Sequence, residues 1–94
     1  MKNNASPRNY KNTEAVVTVF LPDGSKQRTL WSNTAVSFLS SSSSATEAGF
    51  GSKQGKKVWE RTSPYQRLEH HCKLYSMNLG GKADSYQIQL LQKD

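Results

Sequence analysis

The sequence contains one cysteine, no apolar run longer than a few residues, and only seven carboxylates against thirteen lysines and arginines. Each shortage excludes something. A lone Cys72 can close no internal disulfide and can belong to no multi-cysteine zinc site, and it points to a reducing compartment. No stretch approaches the roughly 20 apolar residues that cross a bilayer, and the opening MKNNASPRNYKN lacks the apolar middle of a secretory signal. A cytosolic or stromal protein without membrane insertion is expected. The apolar fraction of 34% lies below the roughly 45–50% of an average globular chain, so a thin core and some unpacked chain are expected. Ninety-four residues suffice for one such core.

The scarcity of acid leaves a formal net charge of +6. That balance favours nucleic acid, anionic lipid or an acidic protein as partner. Most of the charge is local: Lys53, Lys56, Lys57, Arg61, Arg67 and Lys73 stand against only Glu60 and Glu69 in the same stretch. Trp59 and Tyr65 are interleaved with these cations, which suits a contact surface where charge steers a partner and aromatics anchor it. A merely solvated charged face is the competing reading.

Residues 1–13 are rich in Asn, Lys and Ser and read as a flexible basic arm preceding one domain over 14–94. Ala15 to Leu21 is β-branched and aromatic, and Pro22-Asp23-Gly24-Ser25 ends it with turn residues. Lys26 to Trp31 can return antiparallel, with Gln27, Thr29 and Trp31 on one face and Lys26, Arg28 and Leu30 on the other. Asn33 to Leu39 is too short and mixed to type. The serines of 40–44 and the glycines and lysines up to 57 read as a long mobile loop. Lys56 to Arg61 is expected as a strand.

The sharpest local signal follows. Ser63 is an N-cap residue, Pro64 suits the first helical position, Gln66 completes a capping box, and Gly80 can end the helix in the left-handed conformation. Leu68, Cys72, Tyr75 and Leu79 form one apolar stripe between those limits, directed at a sheet. Tyr86, Ile88 and Leu90 alternate with polar residues as in a half-buried strand. The class is α+β: a three- or four-stranded antiparallel or mixed sheet with one main helix across it.

Catalytic signals are weak. His70, His71 and Cys72 are adjacent on a helix, where neighbouring side chains diverge, so neither one metal ion nor a Cys–His pair is expected there. The carboxylates lack paired spacing, and Gly49, Gly51 and Gly55 match no phosphate loop. No enzyme, bound cofactor or metal is expected. A nucleic-acid binder is kept as the alternative, although no RNP pattern, zinc finger or GxxG clamp occurs.

Val58 to Ile88, VWERTSPYQRLEHHCKLYSMNLGGKADSYQI, resembles the CpcD-like domain of small phycobilisome linkers. Pro64-Tyr65 with Arg67-Leu68 is similar to the family's Pro-Tyr-x-Arg-Met opening, and Leu79-Gly80-Gly81-Lys82 to its Leu-Gly-Gly-Lys turn. The family's order there is strand, Pro-Tyr, helix, Gly-Gly-Lys, strand; Ala83-Asp84-Ser85 stands where apolar residues usually follow the lysine. The resemblance implies a protein that enters the central cavity of a phycobiliprotein disc of phycocyanin or allophycocyanin, joins or caps discs with other linkers, and resides peripherally at the thylakoid membrane. It implies no covalently attached pigment, none at Cys72 in particular, and contact with the partner's bilins. The implied contact residues are Lys53, Lys56, Lys57, Trp59, Arg61, Tyr65, Arg67 and Lys82, with Ser63, Pro64, Gly80 and Gly81 structural.

Overall fold

In a computed structural model, which describes residues 9–93, the alternation after Asn12 becomes β1 (Thr13–Phe20), the central strand of a three-stranded antiparallel sheet. Thr13, Ala15, Val17 and Val19 are buried on one face of it, while Glu14, Val16 and Thr18 stay partly open on the other. The turn at Pro22–Ser25 reverses the chain into β2 (Lys26–Trp31). The Asp23 carboxylate accepts from the Ser25 amide at 2.9 Å and from its hydroxyl at 2.6 Å, which holds its pKa below the usual carboxylate range. β3 (Tyr86–Gln92) pairs with the other side of β1, giving the order β2-β1-β3.

Three helices separate β2 from β3: α1 (Asn33–Ser40), α2 (Lys53–Arg61) and α3 (Pro64–Asn78). α1 and α3 cover the buried face of β1, where Ala15 meets Val36 and Leu68, and Val17 and Val19 meet Cys72. The stripe read on α3 is therefore the packed one, with Leu68 and Cys72 fully buried and Tyr75 and Leu79 beside them. Ser63 accepts the Gln66 amide at 3.3 Å and Pro64 opens the helix. α2 lies outside this arrangement: its one buried residue, Trp59, packs with Ala45, Ala48 and Phe50 in a separate cluster.

Three expectations change. Lys56–Arg61 is not a strand but most of α2, because Ser52 caps it through the Gly55 amide at 3.0 Å and Lys, Gln, Glu and Arg favour helix. The observed order is ββαααβ. The polar connection over 40–57 has internal structure: a 3₁₀ turn at Ser42–Ser44, further turns to Gly49, and the start of α2. Its serines make the bonds that apolar burial does not supply, with Ser41 Oγ receiving the Ser43 amide at 3.2 Å and donating to the Phe38 carbonyl at 2.7 Å. Of the expected flexible arm, residues 1–8 lie outside the described residues. Tyr10 does not fit that expectation, being buried in the core with Asn33 Nδ2 donating to its carbonyl at 2.5 Å and to that of Thr13 at 2.9 Å.

Gly80 follows α3 at φ +93°, and the Gly81 amide then closes on the Ser76 carbonyl at 2.8 Å. Gly80→Val is expected to cost at least about 1–2 kcal/mol, since a β-branched residue resists positive φ. A chemical-denaturation midpoint equal to that of the unmodified chain would reject this cap.

Candidate functional site

The serine run places Ser44 at a buried junction. Trp59 Nε1 donates to Ser44 Oγ at 3.2 Å, and His71 Nε2 lies 3.0 Å from the same oxygen. Ser44 Oγ itself donates toward the Leu39 and Ser41 carbonyls, each at 3.0 Å. When its proton lies on a carbonyl, the hydroxyl accepts from both rings, with His71 in its Nε2–H tautomer. Burial, with His70 second, pushes the His71 pKa down to about 4, so the ring is neutral at pH 7. His70 Nε2 donates to the Ala48 carbonyl at 2.9 Å.

Both histidines therefore lie against one residue, Trp59, with ring centroids 5.4 and 5.5 Å away and near-perpendicular planes, while Phe50 stacks on it at 5.1 Å. The Ser44–His71 pair has the spacing of a nucleophile and its base. The pair is enclosed in the packing: Ser44 is fully buried, and its oxygen also receives the Trp59 indole N–H. Cys72 is equally enclosed, its thiol pushed up to about 12 by burial and then by Glu69. Among the described residues, no group of three His, Cys, Asp or Glu could hold a metal ion. A cleft of about 660 Å³ is lined by Lys11, Asn33, Ser37, Ser41 and Arg67 among others, with no carboxylate or histidine among the described residues at its wall.

Arg67, expected on the contact surface, is a second internal junction with 8% exposure. Its Nε donates to the Ser40 carbonyl at 2.7 Å, and its Nη1 to the carbonyls of Trp59 at 2.9 Å and Thr62 at 2.5 Å. These carbonyls end α1 and α2, where a cation offsets the negative pole of each helix. Burial lowers the guanidinium pKa from its ordinary value. Trp59, 2% exposed, also leaves the expected contact set, because its ring fills the pocket beneath α2. Tyr65 is half-buried against the main core.

The remaining cations are exposed. Lys53, Lys57 and Arg61 recur at every fourth residue of α2 and form one column opposite Trp59, with Lys56 beside it. Lys82 is exposed on a different element, the turn between α3 and β3. The Lys93–Glu14 pair at 3.1 Å is the one ion pair among the described residues, so no carboxylate there is paired directly with this column. The column is locally unfavourable: like charges four residues apart repel, and Lys53 sits at the positive end of a helix with no acid in its first turn.

No family model, no curated protein and no solved structure matches the chain. Against the CpcD-like pattern, Pro64-Tyr65 does open a helix and Gly80-Gly81-Lys82 does end it, but α2 stands where that family's pattern has a strand. Among the described residues, no helix is long and apolar enough to cross a membrane.

A neutral buried His71 makes stability depend on pH. Unfolded, it binds a proton near its ordinary value of 6.5, and folded only near 4, so the unfolded state holds more protons between those values. Stability is expected to be full above pH 6.5 and to fall by roughly 2–3 kcal/mol as pH drops toward 4. In His71→Gln that part of the slope should vanish, and an unchanged profile from denaturation at several pH values would show that His71 does not titrate on unfolding.

Proposed function

We propose that the chain is a non-catalytic binding module that docks the outer face of α2 onto an acidic protein surface. One observation carries this reading: a column of Lys53, Lys57 and Arg61 without an ion-pair partner among the described residues, on a helix whose other side is fixed by Trp59 and Arg67. Repulsion within the column and the misplaced Lys53 charge are both relieved when carboxylates cover that face. Val58, 51% exposed at the edge of the column, supplies apolar area for a protein contact.

A protein partner is favoured over nucleic acid by where the aromatics lie. Single-stranded nucleic acid is held by bases stacked on accessible rings, whereas Trp59 and Phe50 are turned inward against each other and the histidines. The resemblance to CpcD-like domains supplies a concrete candidate: the acidic cavity wall of a phycocyanin or allophycocyanin disc, reached without a covalent pigment, within an assembly on the cytoplasmic or stromal side of the thylakoid membrane.

Sedimentation of the chain with phycobiliprotein trimers, and separately with mixed oligonucleotides, tests this at low and moderate salt. Binding to the trimers is expected, with the variant Lys53→Glu/Lys57→Glu/Arg61→Glu losing at least about tenfold in affinity while its melting temperature stays within a few degrees. Binding only to oligonucleotides, or equal affinity in the charge-reversed variant, would refute the proposal.

A further inference from the structure

Among the described residues the sheet has two free edges, and their chemistry differs. The Phe20 amide donates to the Ser85 carbonyl at 2.8 Å and the Lys93 amide to the Asn12 carbonyl at 2.7 Å, which fixes the phase of the β1–β3 ladder. Odd-numbered residues of β3 point their backbone groups at β1. Tyr86, Ile88, Leu90 and Gln92 therefore direct theirs away from the sheet, and none of these backbone groups has a partner elsewhere among the described residues. By the same alternation, Lys26, Arg28 and Leu30 carry the free groups of β2.

An exposed edge is a template for pairing unless charge, proline or a bulge blocks it. β2 has that protection. Antiparallel self-pairing centred on Arg28 would set Arg28 opposite Arg28 of a second copy, two like charges in direct apposition. β3, YQIQLLQ, has neither charge nor proline. Its free positions are symmetric about Gln89, so Tyr86 faces Gln92 and Ile88 faces Leu90 of the second copy, each pair exchanging two N–H···O bonds. At the centre, neutral Gln89 meets Gln89.

The two-fold axis runs perpendicular to the sheet, placing both helical layers on one side. A cleft of about 270 Å³ lined by Tyr65, Glu69, Asp84, Tyr86 and Ile88 leaves room between α3 and β3 for side chains of an added strand. We infer that β3 is a homodimerisation edge: two copies of this chain join antiparallel through Tyr86–Gln92 into one continuous six-stranded sheet.

The inference is independent of the α2 reading, and salt separates them: screening weakens a contact made by the α2 cations but leaves this neutral seam intact. Sedimentation equilibrium of the full chain across a concentration series is expected to show a reversible monomer–dimer equilibrium that persists at high salt. Gln89→Lys, which places two lysines face to face on the exposed side of the seam, should weaken the dimer at least about tenfold without altering the melting temperature of the monomer. Arg28→Gln on the other edge should leave it unchanged. A chain that stays monomeric at all concentrations overturns the inference, as does a monomer whose Tyr86, Ile88, Leu90 and Gln92 amides exchange slowly, because its own chain would then cover the edge. Species growing beyond a dimer would mean β2–β3 pairing between copies and would overturn it equally.

Discussion

The helical layer depends on one buried guanidinium. Arg67 rises from the first turns of α3 and holds the carbonyls of Ser40, Trp59 and Thr62, tying the ends of α1 and α2 to the helix that lies on the sheet. Without it, the Ser40 and Thr62 carbonyls would need other partners in a region with little apolar surface, at a cost of roughly 1–3 kcal/mol for each one left unsatisfied, while the Trp59 carbonyl would keep only the Thr62 amide. α2 depends on it most, because beyond Arg67 its anchorage is Trp59, in a cluster separate from the main core. Ser44 completes the attachment by receiving Trp59 and His71 on one oxygen.

This division explains how a chain with a low apolar fraction packs two helices on a three-stranded sheet and holds a third beside them. The sheet and α3 are held by apolar contact through Val17, Val19, Leu68 and Cys72. The connection and α2 are held by polar bonds from serines, histidines and Arg67, which are directional and tolerate few alternatives. A short helix built in this way can carry an unfavourable column of positive charge on its outer side. The proposed role of that column follows from the same economy, since local rules are broken where a partner can compensate.

Much of this was legible where local chemistry and tertiary packing agree. The alternation of β1, the turn at Pro22–Ser25, the caps at Ser63 and Gly80, and the Leu68–Cys72–Tyr75–Leu79 stripe all appear where periodicity and capping rules put them. α2 was not legible, because Val58-Trp59 between charged residues imitates a strand, and the deciding signal, Ser52 as N-cap, lay inside a polar run read as loop. Ser44 was hidden for a related reason. A serine tract looks featureless until one hydroxyl meets Trp59 and His71, residues 15 and 27 positions away. Arg67 and Trp59 had the composition of a contact surface, and only the path of the chain shows that they face inward. The exposed members of the site, Lys53, Lys57 and Arg61, were legible as charge, but their alignment required α2 to be a helix.

The central claim, that Arg67 holds α2 in place to present its cationic face, is tested most directly by amide hydrogen exchange across the whole chain in Arg67→Met, read together with affinity for the acidic partner. The account predicts that α2 amides lose protection while those of β1 and β3 keep it, and that affinity falls although no exposed cation has been removed. Unchanged protection along α2 in that variant would contradict it.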